Sequence, residues 1–249
     1  LSTLDKNILI LSAGRGERLS PLTNFIPKPL LSLSIHESIV SRLISQLNSI
    51  LGDQIINLNI SHLATSFLTD ITLLDKRKHI IFCWEPTLQG SLRTLQYLSQ
   101  KSQSGFLIFH GDLVLDKEDI ESFINKILLD DRKSYLACHT RSRSRARSYV
   151  IVKNSLVESF YEGGLVLGAT DEQVFVNSGI YYFSKTDLNS FFNSKREFEV
   201  GSEITVHLLP FLTQNRKLHF FQWSGHRISI DSQSALEEAR QSVSRGEFN

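Results

Sequence analysis

Four short apolar runs, NILIL (7–11), IINLNI (55–60), HIIFCW (79–84) and GFLIFH (105–110), are spaced through the first part of the chain with amphipathic stretches between them. Runs this short, rich in Ile, Leu and Phe and bounded by turn signals, read as strands buried on both faces. In HESIVSRLISQLNSI, Ile39, Leu43, Leu47 and Ile50 recur at three- and four-residue intervals, the period of an amphipathic helix. GSLRTLQYLSQ and KEDIESFINKILL predict two further helices, the second with acidic residues in its first turn, where the helix dipole favours them. Strands alternating with helices predict βαβ units and a parallel sheet with helices on both faces.

After residue 130 the pattern loosens. SYLACH, SYVIVK, SLVESFY and QVFVNSGIYYF read as strands, SKTDLNSFFNS and EITVHLLPFLTQ as helices, KLHFFQW as a strand and SQSALEEARQSV as a closing helix. No long linker or internal repeat interrupts them. The expectation is one α/β domain over residues 1–245, a Rossmann-like sandwich with a mostly parallel central sheet and extra strands in its second half. The closing RGEFN reads as an expression remnant rather than fold, and the absence of methionine even at position 1 means that the native start need not be included.

Composition narrows the function classes. A net charge of +1 argues against a generally nucleic-acid-binding surface. No apolar run approaches the roughly 20 residues that span a bilayer, and no signal-peptide pattern opens the chain. Cys83 and Cys138 stand alone, with no CxxC pair, and the eight histidines have no metal-ligand spacing. The expected setting is the reducing cytoplasm.

The chemistry concentrates in LSAGRGERLSPLTNFIPKPL, residues 11–30, directly after the first strand. Ligands of open α/β sheets bind beyond the carboxyl ends of the strands, so this loop sits where ligands sit. Gly14 and Gly16 let backbone N–H groups approach a polyanion without a Cβ in the way. Arg15, Arg18 and Lys28 can add charge-assisted hydrogen bonds of roughly 1.5–3 kcal/mol each. Pro27 and Pro29 restrict the arm that carries Lys28. The string lacks the GxxxxGK[ST] of a P-loop, and Leu19 stands where the third glycine of GxGxxG would fall.

The string resembles instead the signature of the sugar-1-phosphate nucleotidylyltransferases, L-x-x-G-x-G-x-R-L-x-P-L-T followed by P-K-P-L, read here as Leu11 to Thr23 and Pro27-Lys28-Pro29-Leu30. The resemblance implies a GT-A-like nucleotidyltransferase fold and an activity in NDP-sugar and polysaccharide biosynthesis. It also implies that Ala13, Gly14, Arg15 and Gly16 hold the triphosphate of an NTP, that Arg18 contacts the leaving phosphates, and that Lys28 acts at the reacting centre. EPTLQGSLRTL is similar to the family's E-x-x-x-x-G-T-A, which places Glu85 and Gly90 at the nucleotide. HGDLVLD supplies Asp112, matching the family's Mg²⁺-binding aspartate, although Gly-Asp after a strand is also a common turn. VESFYEGG makes Glu162 a sugar-hydroxyl acceptor, and VNSGIYYF puts Asn177 and Gly179 beside the sugar 1-phosphate. On this reading residues 1–115 form a nucleotide half and 116–245 a sugar-phosphate half.

The chain departs from the family at several points. Gly163 stands where a lysine usually meets the sugar's phosphate, and Ser91-Leu92 replaces Thr-Ala. Ile35-His36-Glu37 replaces G-K-P. In SIDSQSALEEA, Ser229 occupies the place of the second metal aspartate, and Asp231, two residues on, is either its substitute or the N-cap of the closing helix. HTRSRSRARSY carries Arg141, Arg143, Arg145 and Arg147 on alternate positions, a solvated loop or edge strand, or a source of the missing phosphate cation. The expected partners are an NTP and a sugar 1-phosphate, with no nucleic acid and no membrane; homo-oligomerisation stays open. The resemblance leaves three activities: the sugar-1-phosphate reaction, a phosphocholine-type cytidylyltransferase, and a catalytically silent regulatory paralogue. The expectation from these 249 residues is a transferase portion without an appended acyltransferase β-helix.

Overall fold

The apolar runs become strands because five or six residues are too few for a buried helix, whereas pairing in a sheet satisfies their backbone while both faces are buried. In the computed structural model, which describes residues 7–52, 54–142, 148–162, 173–194 and 197–248, the elements follow one another in this order. β1 (Asn7–Leu11) leads through three one-turn 3-10 helices to the hairpin β2 (Ser32–Ser34) and β3 (Glu37–Ser38), then α1 (Ile39–Leu51) and β4 (Ile56–Ile60). Next come α2 (Ala64–Thr69), β5 (Ile80–Trp84), α3 (Ser91–Gln100), β6 (Phe106–His110), β7 (Leu113–Leu115) and α4 (Lys117–Leu129). β8 (Ser134–Ser142), β9 (Ser148–Lys153), β10 (Leu156–Glu162) and β11 (Gln173–Phe183) precede α5 (Lys185–Ser194) and α6 (Ile204–Gln214). β12 (Leu218–Gln222), β13 (Arg227–Ser229) and α7 (Gln233–Ser244) close the chain. Among the described residues no helix is long and apolar enough to cross a membrane.

The chain divides into two units, residues 1–88, 108–122 and 225–249 forming the first and 89–107 with 123–224 the second. In the first, β4 pairs parallel with β1 on one side and β5 on the other, Leu11 opposite Asn59 and Ile60 opposite Trp84. α1 starts from a reciprocal cap: the Ser38 hydroxyl accepts the Ser41 N–H and the Ser41 hydroxyl accepts the Ser38 N–H. Its predicted face is inward, with Ile39, Leu43 and Leu47 buried.

In the second unit β9, β10, β12, β8 and β11 neighbour one another in that order, and β11 also pairs with β9, which closes a five-strand ring. Here the mostly parallel sheet gives way to a mixed one. β12 runs parallel to β8, whereas β10 with β12, β10 with β9, and β11 with both β8 and β9 are antiparallel. Periodicity predicts that a strand exists, not the direction of its neighbour. The turn between β9 and β10 decides it: Asn154 and Ser155 both adopt positive φ, 52° and 62°, the two-residue geometry of a tight antiparallel hairpin.

A core cluster in the first unit joins Leu19 of the glycine-rich segment and Leu31 just after it, Leu33 of β2, Ile39 of α1, Val114 of β7, Ile228 of β13 and Ile230 just beyond it, and Leu236 and Ala239 of α7. Phe248 belongs to this cluster, stacks on His226 at 4.9 Å between centroids, and its carbonyl accepts from Arg42. RGEFN is therefore fold up to residue 248, contrary to the expectation from sequence; a lone aromatic in a polar tail carries no periodicity that reveals its burial. Phe248→Ala should cost about 3 kcal/mol, at the lower end of the range for truncating a buried aromatic, read as a lowered urea midpoint.

Candidate active site

The chain leaves β1 at Ser12, whose N–H donates to Asn59 Oδ1 at 2.5 Å; the Asn59 amide in turn donates to Glu85 Oε1 at 3.0 Å. Asn59 and Glu85 are both buried, and the Glu85 N–H donates to the Ile60 carbonyl at 2.8 Å. Ala13 is buried while Gly14 and Arg15 are exposed. The two glycines serve differently. Around Gly14 a Cβ would meet nothing, whereas Gly16 sits at φ 66° and a Cβ there would come within 3.0 Å of Thr23 Cγ2 and 3.1 Å of Lys28 Cβ. The Gly16 carbonyl accepts from the Leu19 N–H at 2.9 Å and the Thr23 hydroxyl at 3.0 Å, folding the segment back on its own lysine arm. Pro27 and Pro29 flank Lys28 at the start of a single 3-10 turn whose Pro29 and Leu30 are buried.

Both predicted catalytic cations meet a predicted metal carboxylate. Lys28 Nζ lies 2.5 Å from Asp112 Oδ2, and Arg18 Nη1 lies 3.3 Å from Asp231 Oδ2. The first pair is largely withdrawn from solvent; the second is exposed and worth little to stability. Gly111 delivers Asp112: its N–H donates to the Leu11 carbonyl at 2.9 Å, and a Cβ there would stand 2.3 Å from Ser12 Oγ. β13 pairs antiparallel with β7, and beyond it the Ile230 N–H donates to the Asp112 carbonyl at 2.9 Å, bringing the C-terminal segment to the same place. Ser232, not Asp231, caps α7, its side chain accepting the Ala235 N–H. Asp231 is thus left to face Arg18.

Burial pushes the Asp112 carboxyl up, but Lys28, His110 and Arg227 together outweigh it and hold it below the usual carboxylate range. Because the folded value is the lower one, this contribution to stability is full above the unfolded pKa and is lost as pH falls through the folded value. Burial also holds the His110 imidazole below its ordinary value, against the pull of Asp112.

Asp112 Oδ1 is buried without a hydrogen-bond partner. Among the described residues no three His, Cys, Asp or Glu side chains gather as a metal cluster. Mg²⁺ needs no such cage, since it takes one or two carboxylates and completes its shell with water and phosphate oxygens. An orphaned carboxylate oxygen on Asp112, beside the Lys28 ammonium, fits the donor chemistry of that ion.

The remaining predicted residues lie in the second unit. Gly90 adopts φ 89°, and a Cβ would stand 2.4 Å from the Ser202 carbonyl oxygen, so backbone packing alone requires glycine there. Ser91 and Leu92, where the family has Thr-Ala, open α3; their N–H groups go to Glu203 Oε2 and the Ser202 carbonyl. Asn177 and Gly179 form a bulge in β11: the Asn177 Oδ1 accepts the Gly179 N–H at 2.8 Å and its amide donates to the Tyr181 hydroxyl at 2.8 Å. Glu162 ends β10, and its side chain lies outside the described part. Arg141 is exposed on β8 opposite Val174. Gly163, Arg143, Arg145 and Arg147 lie outside the described residues.

Sequence reasoning missed Asn59, Gly111 and His110. Asn57 and Asn59 interrupt an otherwise apolar strand, and a buried polar residue there demands a partner; that signal was available. In a Lys28→Met variant the Asp112 carboxyl should titrate higher than in the wild type, because burial persists while the first of the opposing charges is gone, with His110 and Arg227 remaining. Carboxyl ¹³C NMR checks this, and a pKa that does not move would remove Lys28 as the cause.

A family profile described as nucleotidyl transferase matches residues 7–223. A UTP–glucose-1-phosphate uridylyltransferase of Synechocystis is 25% identical over 240 residues, 86% of this chain and 58% of that protein. The bifunctional protein GlmU of Methanococcus aeolicus is 24% identical over 177 residues, 70% of this chain and 39% of that protein. The chain thus spans less than two thirds of the length of either. Among solved structures, a Bacillus anthracis protein assigned as a glucose-1-phosphate thymidylyltransferase, in complex with sucrose, superposes with TM-score 0.77 at 14% identity, covering 95% of this chain and 94% of that one. HddC from Yersinia pseudotuberculosis, complexed with GMP-PN, superposes with TM-score 0.74 at 21% identity, covering 96% and 99%. These likenesses show the α/β nucleotidyltransferase fold. With the profile covering most of its length, the chain belongs to the nucleotidyl transferase family, that of the sugar-1-phosphate nucleotidylyltransferases.

Proposed function

We propose that the chain transfers a nucleoside monophosphate from an NTP to a sugar 1-phosphate, releasing pyrophosphate, with Mg²⁺ as cofactor. The observation that carries this is the pairing of Lys28 with Asp112 and of Arg18 with Asp231, two phosphate-type cations and two metal-type carboxylates in one unit. The nucleophile needs no base: a phosphate monoester has its second pKa at about 6, so its oxygen is already largely ionised near neutrality. What the reaction demands is relief of repulsion between two polyanions and in-line placement on the α-phosphorus.

The backbone of Ala13 to Gly16 receives the triphosphate, and Arg15 and Arg18 neutralise it. Lys28 exchanges its carboxylate partner for a phosphate oxygen and stabilises charge that builds in the transition state. Asp112 and Asp231 would hold Mg²⁺, which would supply charge neutralisation to the phosphates. Asn177 shapes the sugar side through its bulge rather than with a spare amide. Glu85 and Gly90 serve the nucleotide, and Glu162 and Gly179 the sugar. The relatives' names carry uridylyl, thymidylyl and guanosine nucleotides, so they support the reaction class without choosing a base.

A pyrophosphate-release screen of ATP, GTP, CTP, UTP and dTTP against sugar 1-phosphates and phosphocholine, with Mg²⁺, should yield one productive nucleotide with a sugar 1-phosphate. Release only with CTP and phosphocholine would overturn the acceptor, and no release with any pair would favour a regulatory protein. Lys28→Ala should cut turnover about 100-fold or more and cost about 1–3 kcal/mol of stability, because it strands a buried carboxylate. Adding Asp112→Asn should return the stability but not the turnover; equal recovery of both would refute the role of Lys28.

A further inference from the structure

Asn59, which no step above uses, is the middle member of a buried polar chain from the Ser12 N–H to Glu85. It stands on β4, the strand flanked on both sides by parallel partners, with Leu11 and Cys83 as its register neighbours. Its two hydrogen-bond partners are the first residues beyond those neighbouring strands: Ser12 follows Leu11, and Glu85 follows Trp84. One side-chain amide therefore reaches across the carboxyl ends of three parallel strands. The polarity of the link is fixed by its ends, since a backbone N–H must meet Oδ1 and a carboxylate must meet Nδ2. A flipped amide would set oxygen against oxygen at Glu85 and nitrogen against nitrogen at Ser12.

At Ser12 the main chain stops pairing with β4 and turns into the glycine-rich segment, and the amide of Asn59 takes the N–H that the ladder no longer serves. Asn59 is 3% exposed, so both bonds form away from competing water, where breaking one strands the other partner. From this geometry we infer that Asn59 is a positioning residue for nucleotide transfer: it clamps the start of the 12–16 loop to Glu85 and so sets the spacing between the phosphate-binding backbone and the segment after β5. The inference rests on the reading of residues 13–16 and Glu85 as the nucleotide side of the site.

A double-mutant cycle on Asn59→Asp and Glu85→Gln tests it. Asn59→Asp turns the link into two facing carboxylates. In the double variant the carboxylate introduced at position 59 again accepts from the Ser12 N–H, while the amide introduced at position 85 supplies the donor. The chain of bonds is thereby restored, with the amide and the carboxylate exchanged. The first readout is hydrogen exchange of the peptide spanning 12–16 in the full chain without nucleotide. The second is the KM for the NTP against the KM for the sugar phosphate. Asn59→Asp should speed exchange and raise the NTP KM about tenfold, with the sugar-phosphate KM moving less than about twofold. The double variant should be about tenfold better in NTP KM than the product of the two single effects, whatever Glu85→Gln does alone, and should regain protection. Unchanged exchange in Asn59→Asp, or single effects that multiply to within about twofold, would overturn the inference. A wild-type protein that releases no pyrophosphate would instead overturn the functional reading, and the exchange arm keeps the two failures apart.

Discussion

Parallel pairing is the constraint from which the first unit follows. Because β1, β4 and β5 run the same way, the residues that leave them emerge on one edge, and the Gly111 N–H bonded to the Leu11 carbonyl brings the end of β6 there too. Segments that lie 47 residues apart at Ser12 and Asn59, and 84 apart at Lys28 and Asp112, become hydrogen-bonded neighbours. The connecting helices need only bury an apolar face, and the candidate site residues lie where the strands stop, the usual ligand-binding edge of such sheets.

What holds those segments is mostly apolar. Leu19 and Leu31, either side of Lys28, bury against Val114, Ile228 and Leu236, so the arm that bears the lysine and the strand that follows Asp112 share one core. The charges lie above that core and are paired with each other. Such pairs add little net stability: desolvation offsets most of the attraction between Lys28 and Asp112, and solvent screens the exposed Arg18–Asp231 pair. On the proposed function, their value lies in holding side chains ready for an anionic ligand that competes for the cations.

Strand and helix positions were legible because burial on one or both faces writes a period into the residues, as in NILIL and in the Ile39–Leu43–Leu47 face of α1. The two-strand pairing of β7 with β13 was not, since three residues carry too little pattern and their partnership depends on the distant chain. Of the candidate site, the motif around residues 11–30 and Asp112 could be read from residue types alone. Gly90 could not be explained that way: its glycine is required by the Ser202 backbone 2.4 Å from where a Cβ would stand. Asn177 likewise spends its amide on its own bulge, a use that depends on Tyr181 and Gly179 being folded beside it.

By itself, the sequence determined the alternating α/β character of the first half, the strands of the second, and a cation- and glycine-rich loop suited to phosphate. Those properties are local: periodicity, turn chemistry and charge act over a few residues. Tertiary structure alone decided that Lys28 faces Asp112, that Arg18 rather than α7 engages Asp231, that the second unit closes as a mainly antiparallel ring, and that Phe248 belongs to the core. Each of these joins residues far apart in the chain, where the partner is chosen by packing and by the need to satisfy buried polar groups, and neither is encoded in a local pattern.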